Sequence, residues 1–157
     1  MSLYSVAYIS HSRLDDLVLD TRVEIEKILQ VAQRRNAASD VTGALMFNDR
    51  MFTQVLEGDE GAVHAIFSSI ERDARHRDIA VLETGNIVRR SFPVWSMAYA
   101  GTSEVAKVYY KDYMADQSDW QNMTRPRVCE LMLRMISLDQ WPRSAWVRKS
   151  PSARHDG

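Results

Sequence analysis

The sequence predicts an α+β fold: a five-stranded mixed sheet with two helices on one face and two C-terminal helices covering the other. Three observations predict it. Five short runs rich in Val, Ile, Tyr, Phe and Ala read as strands. Four further segments repeat apolar residues at helical spacing. The order is strand, helix, hairpin, helix, strand, strand, and only then the last two helices.

Residues 3–10 form the first strand, with Tyr4, Val6 and Tyr8 on one face. Residues 19–35 form a helix capped by Asp20, with Ile25, Ile28, Leu29 and Ala32 on its apolar stripe and Glu24, Glu26 and Lys27 toward water. Residues 41–47 and 51–57 pair as a hairpin around Asn48-Asp49-Arg50. Asp59 caps the second helix, with Glu60 in its first turn and Val63, Ile66, Phe67 and Ile70 as its stripe. Residues 79–87 and 94–100 read as the fourth and fifth strands. Residues 104–114 and 125–136 read as helices, the latter with Val128, Leu131, Met132 and Met135 in register. This order resembles the split βαβ arrangement of ferredoxin-like folds, and the groove between the two helices on one sheet face is a natural ligand slot.

A chain of 157 residues suits one domain with a small appendage. The expected organisation is a sheet domain over 1–101, a helical cap over 102–140 and a tail over 141–157. A formal charge of −1 implies no electrostatic pull toward nucleic acid or membrane. One cysteine, Cys129, excludes an internal disulfide and a multi-cysteine metal site, which suits a reducing cytoplasm. No signal-peptide pattern opens the chain, and no apolar run is long enough to span a bilayer.

Enzymatic signatures are missing: no phosphate loop, no G-x-S-x-G, no H-E-x-x-H. His11, His64, His76 and His155 lack metal spacing, and no metal is expected. His76 reads as a cation at the end of the second helix, and Glu57 and Asp59 as a turn and a cap. Three polar residues are left that a packed sheet does not need. Tyr8 ends the first strand, and Asn36 follows the first helix, where a C-cap is its simplest role. Gln54 sits mid-strand between Phe52 and Leu56, either on a solvated face or among apolar neighbours that oblige it to find partners. An amide offers a carbonyl and two N–H donors, and rotation swaps which end a neighbour sees. With the first and third strands adjacent, Tyr8 and Gln54 lie side by side facing the groove, with Asn36 at one end.

Five segments in order carry a resemblance. They are Tyr4-Ser5-Val6-Ala7-Tyr8-Ile9-Ser10, Gln33-Arg34-Arg35-Asn36 with Val41-Thr42-Gly43-Ala44-Leu45, Phe52-Thr53-Gln54-Val55-Leu56-Glu57-Gly58, Arg72-Asp73-Ala74-Arg75-His76, and Arg89-Arg90-Ser91-Phe92-Pro93-Val94-Trp95-Ser96-Met97. This pattern resembles the BLUF family of blue-light sensors, in its short form. The resemblance implies FAD as cofactor. It implies that Tyr8 donates an electron and a proton to the excited flavin, that Gln54 switches its hydrogen bonds, and that Asn36 bonds the ring's polar edge. Ile28 and Ile70 match the residues that sandwich the ring. Arg35 falls where the family varies among polar residues, and Asp73 and Arg75 match polar residues near the slot rim. Trp95 and Met97 match a fifth-strand pair, and on a regular strand they share one face. The implied function is non-enzymatic: light sensing that signals to a separate protein partner or through self-assembly as a dimer or larger oligomer. Two alternatives stay open beside it, a cofactor-free ferredoxin-like interaction module and an acylphosphatase-like hydrolase using Ser10-His11-Ser12-Arg13.

Overall fold

The computed structural model describes residues 2–48, 50–115 and 123–139. Strand β1 (Leu3–Ser12) is followed by helix α1 (Thr21–Ala38), strands β2 (Thr42–Asn48) and β3 (Met51–Asp59), and helix α2 (Glu60–Glu71). Strand β4 (His76–Ile87), a short β5 (Ala98–Ala100) and helices α3 (Glu104–Ala115) and α4 (Arg125–Leu138) complete the chain. The sheet order is β4-β1-β3-β2-β5, antiparallel except for the parallel β2–β5 pair, which is the mixed ferredoxin-like sheet expected. The hairpin's Asp49 and the tail over 141–157 lie outside the described residues.

Strand alternation builds two cores. Val6, Tyr8, Leu45, Phe52 and Leu56 face α1 and α2, with Ile25, Ala32, Val63 and Ile66 packed on them. Ala7, Ala44, Met46 and Val55 face the other way, under Tyr110 of α3 and Val128, Leu131, Met132 and Met135 of α4. The C-terminal helices therefore cover the sheet's second face, and the methionines of α4 are core. Small residues in that face let the cap approach closely. At Gly43 the approach comes from the neighbouring strand: a Cβ there would lie 1.9 Å from the Val55 carbonyl oxygen.

Both predicted N-caps are present. Asp20 accepts from Val23 N at 3.1 Å and Asp59 from Ala62 N at 3.4 Å. Three expectations need correction. Helix α1 runs past Asn36 to Ala38 and ends at Ser39, so Asn36 is a buried helical residue rather than a cap. Glu24 does not lie in water: its side chain is 12% exposed and is held by Arg75 at 3.2 Å. Regular pairing of the fifth strand begins only at Ala98, so residues 94–97 lack strand alternation and Trp95 and Met97 part company. Met97 joins the core under α1 and α2, while Trp95 packs against the core under α3 and α4.

The turn before α1 holds an anomaly. Leu19 N donates to Leu14 O at 2.9 Å and Val18 N to Asp15 O at 3.1 Å, the paired bonds of a Schellman turn. The left-handed position of that turn is filled by Val18, with φ 54°, and the residue is 91% exposed. A β-branched residue there costs about 1–2 kcal/mol. Val18→Gly is expected to raise stability by about 1 kcal/mol, after allowing for glycine's greater entropy loss. A lower urea midpoint in that variant would contradict this.

Candidate functional site: a slot between the first two helices

Tyr8 and Gln54 are direct partners in the β1–β3 register, and each is 3% exposed. The phenol hydroxyl donates to Gln54 Oε1 at 2.5 Å. Gln54 Nε2 in turn donates to Met97 Sδ at 3.5 Å. Burial drives the Tyr8 hydroxyl far above the ordinary phenol range, opposed by the nearby Arg35 charge and reinforced by Asp73. The phenol is therefore a proton holder over the whole physiological range, and its proton points at the amide. The solvated alternative for Gln54 is excluded by its burial.

Above this pair lies a cavity of about 100 Å³ between α1 and α2. Ile28 and Ile70 line it from the two helices, and Leu45, Phe52, Tyr8 and Gln54 line it from the sheet. Arg35, Asp73, Arg75 and His76 add a polar rim. Burial pulls the Arg35 guanidinium below its usual value, while Tyr8 and Asp73 support its charge. Arg75 grips Asp73 through Nε at 3.0 Å and Nη2 at 2.7 Å, and reaches Glu24 of α1 through Nη1 at 3.2 Å. Burial alone would raise the Asp73 carboxyl. The side-chain and backbone hydrogen bonds from Arg75 outweigh it and hold that carboxyl below the usual range.

Seven of the sequence-predicted residues thus converge: Tyr8, Ile28, Arg35, Gln54, Ile70, Asp73 and Arg75 line the slot. Asn36 stands behind it. Its Nδ2 donates to Ser96 O at 3.0 Å, and its Oδ1 accepts from Arg35 Nε at 3.4 Å. Met97 reaches the slot through Gln54, and Trp95 lies on the far side of the sheet. The segment carrying them is tied down at each residue. Gly43 N donates to Trp95 O at 3.2 Å, Asn36 to Ser96 O, and Gln33 Nε2 to Met97 O at 3.3 Å.

Two positions need a different reading. Glu57 is no turn residue: β3 continues to Asp59, and alternation puts Glu57 beside Val55 on the cap side, fully buried. Its carboxylate accepts from Ser91 N and Phe92 N at 2.8 Å each, and from the Arg125 guanidinium of α4. His76 is the first residue of β4 rather than the end of a helix, although its ring still reaches the last turn of α2. The signal for Glu57 was its place two residues after Val55, on the same face of the strand.

The donor set fits a planar heterocycle with a polar edge. Two apolar walls face each other across the slot. Gln54 spends one N–H on a thioether, a weak acceptor, so the amide has a second N–H for a stronger one. Asn36 likewise has a second N–H beyond the one given to Ser96.

Residues 3–98 match the family profile described as BLUF, sensors of blue-light using FAD. The blue light- and temperature-regulated antirepressor BluF of Escherichia coli (strain K12) is 44% identical over 80 residues, 51% of this chain and 19% of that protein. The beta subunit of the photoactivated adenylate cyclase of Euglena longa is 32% identical over 81 residues, 51% of this chain and 9% of that subunit. The chain spans less than a fifth of either relative's length. Among solved structures, the dark state of BlrB, a BLUF protein, has a TM-score of 0.68 at 28% identity and covers 83% of this chain and 96% of its own. The ground state of BlsA has a TM-score of 0.74 over 90% of this chain and 93% of its own; at 23% identity it speaks for the fold alone.

Proposed function

Because the chain belongs to the BLUF family, the sensors of blue light using FAD, we propose that it binds FAD in the slot and that Tyr8 and Gln54 form its light switch. The observation that carries this reading is the Tyr8–Gln54 hydrogen bond, buried at the floor of a slot walled by Ile28 and Ile70. In this reading those two isoleucines sandwich the ring. Gln54, Asn36 and Arg35 serve its polar edge, and Asp73 and Arg75 close the rim. Bound FAD would supply blue-light absorption and, once excited, an acceptor for one electron and one proton.

Tyr8 would give up both from its phenol and later take both back, so the chain would carry no net chemical change. Between those events Gln54 rotates, tautomerises or does both. Rotation exchanges Oε1 and Nε2, so the hydroxyl and the Met97 thioether each meet the other end of the amide. A stronger hydrogen bond from Gln54 to a carbonyl of the bound ring would lower the excitation energy and redden the absorption. Met97 sits next to backbone held by Asn36 and Gly43, so a changed bond at its sulfur bears on residues 95–97 and then on β5. Such a signal is a population shift between two arrangements of that segment and of the helices covering the sheet. The output passes to a separate protein or to self-assembly, and no catalytic role is proposed for this chain. Nucleic acid and membrane are not proposed as partners, and among the described residues no helix is long and apolar enough to cross a membrane.

The test is an absorption spectrum of the purified protein saturated with FAD, in darkness and after blue light. A flavin spectrum that shifts to the red and relaxes in the dark is expected. A colourless protein after reconstitution would overturn the flavin reading and leave an interaction module. Bound flavin without a shift would refute the switch.

A further inference from the structure

His76 makes two short hydrogen bonds that join the two sides of the slot. Its Nδ1 lies 2.7 Å from Ser10 Oγ, and its Nε2 lies 2.6 Å from the Ile70 carbonyl oxygen. A carbonyl only accepts, so Nε2 carries a hydrogen. In the neutral ring Nδ1 is then an acceptor, and the Ser10 hydroxyl donates to it. Ser10 is fully buried, follows Tyr8 by two residues on the same face of β1, and pairs with Phe52 of β3. Ile70 is the slot wall contributed by α2. The imidazole also meets Tyr8 and Phe52 edge-on, with ring centres 6.4 Å and 6.3 Å away.

We propose that His76 is a positioning residue of the photosensory site: its ring, with a hydrogen on Nε2, ties the strand carrying Tyr8 to the helix turn carrying Ile70 and so sets the slot's geometry at the phenol. The proposal rests on the flavin reading for its optical consequences, but not for the tautomer. The groups facing the ring are Asp73 and Arg75 from the α2–β4 connection, Tyr8 and Ser10 from β1, Phe52 from β3 and the Ile70 carbonyl from α2, with Arg35 of α1 across the slot. The Ser10 bond bears on Tyr8 through two residues of one strand.

The test uses the full chain in two states. Without flavin, long-range proton–nitrogen correlation spectra of the histidine rings report the tautomer. An Nε2–H ring for His76 whose Nδ1 resonance moves in Ser10→Ala is expected, and an Nδ1–H ring would overturn the proposal. Saturated with FAD, His76→Gln keeps a donor and an acceptor and is expected to retain the red shift and recover from the lit state close to the wild-type rate. His76→Leu loses both bonds and should alter the recovery rate by about fivefold or more, the factor one ordinary hydrogen bond is worth. A His76→Leu rate equal to wild type, or a His76→Gln rate as far from wild type as that of His76→Leu, would overturn the positioning role. Absence of a red shift in the wild type would instead overturn the flavin reading, with the tautomer still deciding the clamp.

Discussion

Arg125→Met is expected to destabilise the protein by about 3–5 kcal/mol, the cost of breaking a buried ion pair by removing one partner. Glu57 has no exposed surface, and the Arg125 side chain is only 11% exposed. The guanidinium serves more than the carboxylate. Its Nε donates to Ser5 Oγ at 2.9 Å and its Nη2 also to Ser91 Oγ at 3.1 Å. Methionine fills much of the same volume but neutralises nothing, which leaves a buried anion held by two backbone N–H groups. Adding Glu57→Gln removes that anion while keeping an acceptor for one of those groups. The double variant is therefore expected to be more stable than Arg125→Met alone, the non-additivity of two residues in one hydrogen-bonded network. Urea unfolding of the four proteins decides it. A single-variant cost below about 1 kcal/mol would mean that water reaches the carboxylate and that the pair is no better than a surface bridge.

This knot also marks the limit of what could be read along the chain. Tyr8 and Gln54 were legible as neighbours because strand parity and the order of elements are local properties, and together they fix who faces whom. Glu57 lies on the same strand and obeys the same parity. Its neighbours Gly58 and Asp59 spell a turn, however, and the cation that makes its burial tolerable stands at residue 125, beyond two more strands and two helices. Asn36 was read as a helix end because a polar run precedes it. Ala37 and Ala38 are good helix formers and carry α1 one more half-turn, which buries the amide against Ser96. The fifth strand failed for a different reason. Residues 94–97 have strand-like composition, but the carbonyls of Trp95, Ser96 and Met97 are claimed by Gly43, Asn36 and Gln33 rather than by a regular ladder, so the alternation that would have put Trp95 beside Met97 never applies. Composition reports propensity, whereas partner choice at an edge is settled by groups far away in the chain. His76 shows the same limit: its neighbours suggested helix-end electrostatics, and only the distant Ser10 reveals a doubly bonded ring.

Tyr8→Phe is expected to fold, bind FAD and show no light-induced red shift. The substitution deletes one oxygen and keeps the ring that packs against Phe67, with centres 5.3 Å apart. What is lost is the proton on the hydroxyl and the bond it makes to Gln54 Oε1. An unsatisfied buried carbonyl costs about 1–3 kcal/mol, within the margin of a typical domain. The amide can also recover part of it by turning Oε1 toward another donor, so the dark spectrum is expected to move slightly. The light response has no such recourse. Phenylalanine offers no transferable proton, and Gln54 receives no stimulus to exchange its ends. Wild type and variant are compared by difference absorption at equal flavin occupancy, with unfolding midpoints to confirm an intact fold. A normal reversible red shift in Tyr8→Phe would show that the switch is driven from elsewhere. The slot would then be a flavin site whose buried phenol is only structural.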